Sequence, residues 1–165
     1  MKRTIEMKDD LERVQVHTPM GTLILAAKEG AVYEIYHAGL EPVSLPVSAV
    51  KEPVLNQAVA ELKEFFSGKR RNFSFAMRLE GTPFQLSVWK ALGTIPYGET
   101  RTYGQIAQLV GNFKASRAVG MACNQNPIMI AVPCHRVIGA NGSLTGYAPG
   151  TELKQIILTL EQNTK

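Results

Sequence analysis

The chain of 165 residues lacks any uninterrupted apolar stretch of 18 residues, so its sequence predicts no membrane-spanning helix. Its first 14 residues are charged and contain no apolar run, and we therefore expect no secretory signal and a cytoplasmic protein. Only two cysteines are present, Cys123 and Cys134, and a disulfide between them is not expected in that compartment. With only three histidines to add, the chain also lacks a ligand set at metal-site spacing, and we expect no metal and no cofactor.

Acidic residues are scarce in the second half of the chain. Residues 1–80 carry 11 basic and 11 acidic side chains, whereas residues 81–165 carry 7 basic and 3 acidic ones. Residues 100–151 contain no carboxylate at all, but they contain four cations: Arg101, Lys114, Arg117 and Arg136. Because a surface without carboxylates does not repel phosphate, this stretch is a candidate nucleic-acid face, although a short basic segment also arises by chance.

Hydrophobic patterning divides the chain near residue 80. The first part alternates apolar and polar residues between turn signals, which is typical of an antiparallel meander, and then changes to helical spacing. We predict three strands at residues 14–16, 22–27 and 32–36. A loop at 38–52, a helix at 54–66 and a further strand at 73–75 are expected to follow.

The second part is predicted to be mostly helical. Thr82 and Thr102 are each followed three residues later by glutamine, the pattern of a capping box at a helix start. Further helices are expected over 114–123 and 151–161, the last with Leu153, Ile156, Ile157 and Leu160 facing inward, and 128–132 reads as a short buried strand or extended run. The prediction is a mixed α/β (α+β) fold with two domains, 1–80 and 81–165.

Two predicted helices joined by a glycine-containing turn, from Thr102 to Cys123, have the outline of a helix-turn-helix. The second of them is rich in small residues, and Arg117 is its one long cation. Small side chains allow a helix to approach a groove closely but offer few hydrogen bonds to base edges, so binding with little sequence preference is expected. A close-packed helix pair in an enzyme core would have the same pattern.

The segment from Pro133 to Arg136 is the strongest candidate for chemistry. It places Cys134 beside His135, and a thiolate, the reactive form of cysteine, is favoured by a nearby imidazole or guanidinium. Neighbouring side chains of an extended chain point in opposite directions, so His135 reaches the thiol only through a bent backbone or a water molecule. The alternative for any single cysteine is a small buried apolar residue, and Cys123 fits that description better.

Taken together, these motifs make the segment from Thr82 to Glu161 resemble the catalytic domain of the O6-alkylguanine-DNA alkyltransferases, also called methylated-DNA–protein-cysteine methyltransferases. The matching pieces are Thr82-Pro83-Phe84-Gln85, Ile95-Pro96-Tyr97-Gly98, Thr102-Tyr103, Arg117-Ala118-Val119-Gly120, Asn126-Pro127, Pro133-Cys134-His135-Arg136-Val137-Ile138 and Gly146-Tyr147. The Pro-Cys-His-Arg core with these neighbours is very specific, and the sheet of the first part resembles the family's ribonuclease-H-like domain.

The resemblance implies a DNA repair activity. An alkyl group would move irreversibly, in a single turnover, from O6-alkylguanine in double-stranded DNA to Cys134 of a monomeric protein, after the nucleotide is flipped out; O4-alkylthymine is a second candidate substrate. In this scheme His135 acts as a base through a bridging water, and Glu161 orients the imidazole and favours its charged form. Asn126 would brace the turn that shapes the site.

The same resemblance assigns residues to DNA and substrate binding. Tyr103 would rotate the nucleotide by crowding its phosphate and donate a hydrogen bond to the guanine, and Arg117 would fill the gap left in the base stack. The remaining binding residues are Ser116, Arg136, Tyr147 against the flipped base, Val137 and Cys134 through their carbonyl groups, and Ala148 through its N–H to O6.

One departure from the family pattern lies beside the substrate. Small residues, often two glycines, usually follow the position of Tyr147, but here Pro149 stiffens the loop, and a limit on alkyl size is expected. Two other classes stay open: a non-catalytic DNA-binding or damage-sensing protein, which leaves Cys134 and His135 unexplained, and a thiol hydrolase, which needs an oxyanion hole. Without the resemblance, Glu161 reads as an exposed residue near the C-terminus.

Overall fold

The computed structural model describes residues 10–39, 45 and 49–165, and this part of the chain forms a mixed α/β fold. Its elements are β1 (Glu12–Thr18), β2 (Gly21–Lys28), β3 (Ala31–His37), α1 (Pro53–Phe66), α2 (Pro83–Leu92), β4 (Arg101–Thr102), α3 (Tyr103–Leu109), α4 (Ser116–Asn124), a 3₁₀ turn (Cys134–Arg136), β5 (Val137–Ile138) and α5 (Thr151–Asn163). Among these helices, none is long and apolar enough to cross a membrane.

The first three strands form the predicted antiparallel meander in the order β1-β2-β3, so that prediction is confirmed. The middle of β2, from Leu23 to Ala27, is buried on both faces of the sheet: alternate residues join the core under α1, and Ala26 packs in a second cluster with Leu11 and Tyr33. The helix predicted over 54–66 is confirmed with a start at Pro53. The predicted loop over 38–52 falls largely outside the described residues.

The strand predicted at Phe73 and Phe75 is wrong. Residues 73–79 run beside β3 and make only one isolated bridge, between Met77 and Val32. The two phenylalanines instead join an aromatic cluster on α1, with ring centres 5.4 Å from Phe65 to Phe73 and 5.6 Å from Phe73 to Phe75. Alternating burial therefore reflected side-chain packing, which an extended segment satisfies without a ladder of backbone hydrogen bonds.

Both predicted capping boxes are present. The hydroxyl groups of Thr82 and Thr102 accept from the third helical N–H, and the glutamine side chain there accepts from the threonine N–H, at the starts of α2 and α3. The indole N–H of Trp89 on α2 donates to the carbonyl of Ala122 on α4, 2.9 Å away. The helices α2, α3 and α4 therefore pack as one unit.

The buried extended run predicted over 128–132 is present only at Ile128 and Met129, because residues 130–131 form a turn. Backbone hydrogen bonds join Ile35 of β3 to Pro127 and Met129, so the run is attached to the first sheet. In this tight turn Ile130 has a positive φ of 73°, and the N–H of Val132 donates back to the carbonyl of Ile128. This conformation strains a β-branched residue, and strain of this kind is often found next to functional sites.

The last helix, α5, buries a stripe that differs from the predicted one. Its buried residues are Lys154, Ile157, Leu158 and Glu161, whereas Ile156 is 39% exposed, so the prediction that Ile156 faces inward is wrong. The stripe has helical spacing, but two of its members are charged and are buried because they have partners in the site. A prediction that considers apolar residues alone therefore places the buried face of α5 about one residue too early in the sequence.

Candidate active site

Cys134 opens the 3₁₀ turn, directly after the strained run. Its N–H donates to the carbonyl of Val132 at 2.8 Å, and the N–H of Arg136 donates to the carbonyl of Pro133 at 3.0 Å. The backbone is thus bent at the position where the sequence required a bend for Cys134 and His135 to act together. The cysteine is only 5% exposed, so a substrate reaches its sulfur only by entering the protein.

Asn126 links the turn to the thiol. Its side-chain amide donates to the carbonyl of Val132 at 2.7 Å and to Sγ of Cys134 at 3.2 Å, while its oxygen accepts from the N–H of Ile128 at 3.0 Å. One buried amide therefore fixes both sides of the bend and supplies a hydrogen bond that stabilises the thiolate.

His135 and Glu161 form a buried pair, and both side chains are fully excluded from solvent. Nε2 of His135 lies 2.7 Å from Oε1 of Glu161. An ionised carboxylate only accepts hydrogen bonds, so Nε2 carries the hydrogen and Nδ1 presents a lone pair. Nδ1 is buried and has no hydrogen-bond partner within the described structure. The ring is therefore oriented with a basic atom available.

Burial lowers the pKa of His135, and the neighbouring carboxylate of Glu161 does not reverse this direction. Glu161 does favour the charged imidazole, as expected, but burial outweighs its effect on the pKa, so the imidazole is neutral at physiological pH. Burial alone would raise the pKa of Glu161, but hydrogen bonds from His135 and Arg136 outweigh it and lower that pKa to about 2. The carboxylate thus orients a neutral base.

Arg136 lies inside the protein and not on a DNA-facing surface. Its guanidinium donates from Nη2 to Oε1 of Glu161 at 2.8 Å, from Nε to both carboxylate oxygens, and from Nη1 to the carbonyl of Ile95 at 2.8 Å. The expected contribution of Arg136 to DNA contact is therefore wrong, because the side chain neutralises a buried carboxylate.

Lys154 is a residue of the site that the sequence did not single out. It is 1% exposed, and its ammonium donates to the carbonyl of Val137 and lies 6.0 Å and 5.9 Å from the ring centres of Tyr103 and Tyr147. Burial raises the pKa of Cys134, whereas the hydrogen bond from Asn126 and the charge of Lys154 oppose this rise. A lysine within a helix is usually predicted to be exposed. Lys154 lies two turns before Glu161 on the same face of α5, and this spacing could have indicated that both side chains point inward.

Tyr103, at the start of α3, is bonded to the loop that precedes Tyr147. Its hydroxyl donates to the carbonyl of Thr145 at 2.8 Å, and burial raises its pKa to about 12. Gly146, at a positive φ of 86°, allows this contact, because a Cβ there would lie 2.6 Å from the hydroxyl oxygen. The loop after Thr145 is therefore held against Tyr103, and a donation from Tyr103 to a substrate requires that hydrogen bond to be exchanged.

Tyr147, Ala148 and Val137 surround the thiol differently. Tyr147 is 8% exposed and packs in the same core cluster as Cys134, whereas Ala148 lies on the surface. The carbonyl of Val137 already accepts from Lys154. A carbonyl oxygen has two lone pairs, so a second donor can still be bound.

The outer face of α4 is separate from the buried site. Ser116 lies at its start, and Arg117, Ala118 and Met121 are exposed, while Val119 and Cys123 are buried beneath them. Two of the four cations in the acid-free stretch have carboxylate partners: Arg101 pairs with Glu99 at 3.0 Å and Arg136 pairs with Glu161. The positive charge of this helix face therefore comes from Lys114 and Arg117. Cys123, as expected, is a buried residue whose pKa burial raises further, to well outside the physiological range.

The structure thus forms two bonded pairs, Cys134 with Asn126 and His135 with Glu161, which are joined because Cys134 and His135 are neighbours in the chain. The rings of Tyr103 and Tyr147 both lie near Lys154. Arg117 and Ser116 lie apart from this group on the exposed helix face. Among the residues that the structure describes, no group of three or more histidine, cysteine or acidic side chains is placed to hold a metal ion.

Comparison with known proteins connects this geometry to one family. The family described as "6-O-methylguanine DNA methyltransferase, DNA binding domain" matches residues 83–163. A methylated-DNA–protein-cysteine methyltransferase of Methanosarcina acetivorans is 51% identical over 146 residues, covering 87% of this chain and 94% of the relative. The constitutive methyltransferase of Bacillus subtilis is 45% identical over 151 residues, 88% of this chain and 92% of its own.

Solved structures agree. The Mycobacterium tuberculosis protein OGT in complex with DNA superposes with a TM-score of 0.81 at 44% identity, covering 91% of this chain and 92% of its own. The fold and the buried cysteine site define a protein of the alkyltransferase class. The chain belongs to the methylated-DNA–protein-cysteine methyltransferase family, and the resemblance inferred from the sequence is confirmed.

Proposed function

We propose that this protein repairs DNA by transferring an alkyl group, a methyl group in the simplest case, from O6 of guanine in double-stranded DNA to Sγ of Cys134. The observation that carries the proposal is the buried thiol, bonded to Asn126 and next to a neutral His135 whose Nε2 is held by Glu161. Such a site offers a nucleophile, a base and an orienting carboxylate in one buried region.

The chemical step follows from the protonation states. Because burial keeps Cys134 as a thiol, a base must remove its proton, and Nδ1 of His135 is the available lone pair, acting through a bridging water. The sulfur–carbon bond forms while the carbon–O6 bond breaks and its electron pair stays on O6. The proton that His135 removed from the thiol then passes to the guanine, which leaves as a neutral base. The thioether product carries no activated leaving group, so each protein molecule reacts once.

Burial of the thiol also requires the base to leave the duplex. A 5% exposed sulfur cannot reach an atom inside a base stack, and enzymes acting on bases extrude them at a cost of a few kcal/mol. The alkylated base pairs poorly, which lowers this cost. Tyr103 would crowd the phosphate, Tyr147 would pack on the extruded base, and the N–H of Ala148 would donate to O6.

The DNA interface would be the pair α3 and α4 with the turn between them, used as a helix-turn-helix. Arg117, exposed on α4 among small residues, would enter the space vacated by the base, and Ser116 and Lys114 would contact phosphates. The ribonuclease-H-like assignment of the first sheet, the division at residue 80 and the monomeric state remain predictions alongside it.

The test is mass spectrometry of the intact protein after incubation with a duplex that contains O6-methylguanine. We expect a permanent gain of one methyl group, located on Cys134 by peptide mapping. Cys134→Ala should abolish the gain and retain DNA binding, and Cys123→Ala is the matched control that should still react. A label on Cys123, or binding without transfer by the unmodified protein, would contradict the proposal; the second result fits a damage sensor.

A further inference from the structure

Two buried polar atoms near the thiol have no hydrogen-bond partner in the described part of the protein: Nδ1 of His135 and the hydroxyl oxygen of Tyr147. Most buried polar groups in proteins are paired, so an unpaired one beside a reactive group indicates that a water molecule or a substrate supplies the partner. The proposed mechanism uses the first atom for proton removal. It gives the second atom no role, because it treats Tyr147 only as a packing surface.

The Tyr147 hydroxyl is a hydrogen-bond donor in this environment. The residue is 8% exposed, and burial raises its pKa well above 10, the usual phenol value, with a further contribution from nearby Cys134. The phenol therefore keeps its proton throughout the physiological range. The side-chain nitrogen of Lys154 lies 5.9 Å from the centre of the same ring, and burial lowers the pKa of this lysine.

The position of the reacting oxygen follows from the chemistry of displacement. Sulfur attacks the alkyl carbon from the side opposite O6, so O6 lies one bond beyond the carbon and within the same buried space as Sγ. Lys154, which bonds the carbonyl of Val137 three residues after Cys134, lies 5.9 Å from the centre of the Tyr147 ring, and Tyr147 interacts electrostatically with Cys134. The ring therefore lies beside the segment that carries the thiol. A donor placed there meets O6 as the oxygen becomes negative.

We propose that the Tyr147 hydroxyl donates a hydrogen bond to O6 of the extruded guanine and stabilises the charge that develops as the carbon–O6 bond breaks. Tyr147 donates a hydrogen bond and keeps its own proton. The proton that the guanine gains is the one that His135 removes from the thiol. Together with the N–H of Ala148, the phenol would form a two-donor oxyanion site. The inference rests on the proposed alkyl transfer and adds a catalytic residue to it.

The experiment compares the full-length protein with Tyr147→Phe, which removes one oxygen atom and keeps the ring. Single-turnover methyl transfer from duplex O6-methylguanine is followed at several protein concentrations, which separates the maximal rate from the apparent Kd. We expect the maximal rate to fall about 10- to 100-fold, the range for one hydrogen bond to a developing charge, with the Kd changed less than twofold. Tyr33→Phe, in a buried tyrosine on the first sheet, is the matched control and should react like the unmodified protein.

A second measurement separates hydrogen bonding from packing. Placing 3-fluorotyrosine at position 147 keeps the hydroxyl and makes it more acidic, so the maximal rate should stay at or above that of the unmodified protein. A rate as low as that of Tyr147→Phe would assign the effect to packing and overturn the inference, and so would an unchanged rate in Tyr147→Phe. Failure of the unmodified protein to methylate Cys134 would instead overturn the proposed function itself.

Discussion

Replacing Glu161 with glutamine removes one negative charge from a carboxylate on which three groups converge. That carboxylate accepts from Nε2 of His135 at 2.7 Å, from the guanidinium of Arg136 at 2.8 Å and from the backbone N–H of Gly98 at 3.2 Å. A glutamine in the same place has only one accepting oxygen, and its NH₂ group would face a donor. The variant therefore disturbs the orientation of the base and the pairing of a buried cation together.

The effect on stability follows from the pKa of Glu161, which is lowered from 4.5 to about 2. Lowering a carboxyl pKa by one corresponds to about 1.4 kcal/mol, so the ionised carboxylate contributes about 3 kcal/mol to the free energy of unfolding at neutral pH. Removing one partner of a buried ion pair costs about 3–5 kcal/mol, because Arg136 stays buried without a counter-charge. We expect Glu161→Gln to melt at a clearly lower temperature and to need assay conditions in which it is still folded.

The effect on the reaction comes from the imidazole tautomer. The carboxylate forces the hydrogen onto Nε2, whereas a glutamine amide can also donate to Nε2 and move the hydrogen to Nδ1, where it blocks the basic atom. We expect the rate of Cys134 methylation at neutral pH to fall about 10- to 1000-fold and the apparent pKa governing that reaction to rise. The measurement is the single-turnover rate against pH, with folding checked by thermal melting.

Glu61 provides the matched control. It is a 4% exposed carboxylate on α1 that accepts from Gln57 and Ser74, so Glu61→Gln should also destabilise the protein. It lies outside the proposed site and should leave the pH dependence of methylation unchanged in the folded protein. Superimposable pH profiles for folded Glu161→Gln and the unmodified protein would refute the relay and leave His135 with another partner.

Three further outcomes are expected. Arg117→Ala should slow repair in duplex DNA far more than reaction with the free base O6-benzylguanine, if that base reacts; equal losses would place Arg117 in the pocket instead of the base stack. DNA affinity should fall steeply with salt and be nearly equal for unrelated duplexes, and Lys114→Ala should reduce the salt slope by about 1; a strong preference for one unmodified sequence would favour a regulator. Because the folded-state pKa of Glu161 lies below its usual value, the stability it provides is complete above pH 4.5 and is lost as pH falls toward about 2. The urea concentration at the midpoint of unfolding should therefore fall less across that window for Glu161→Gln than for the unmodified protein.

The sequence predicted the elements that have strong local signals. The three strands, α1 and both threonine capping boxes depend on nearest neighbours and side-chain periodicity, and all were found where expected. The segment at Phe73 failed because alternation reports burial of every second side chain and does not require a partner strand. Near the site, the motif identified Cys134 and His135 as neighbours in sequence, which is a local signal as well.

The rest of the site depends on contacts between distant residues, which local patterns do not contain. Lys154 meets Val137 across 17 positions, and Arg136 meets Glu161 across 25, so neither burial follows from its own segment. A charged residue read in isolation is placed on the surface. The burial of Glu161 on α5 and of Arg136 becomes predictable only when the two residues are considered together, because each charge offsets the cost of removing the other from water.

The hydrogen bond between Trp89 and α4 gives the protein an optical property. Trp89 is the only tryptophan in the sequence, it is 3% exposed, and its indole N–H is bonded to the carbonyl of Ala122 on the helix proposed to face DNA. Indole emission responds to the polarity around the ring and to its hydrogen bonding. The tryptophan emission of this chain therefore comes from a single indole bonded to α4, and small displacements of that helix can be followed without an added label.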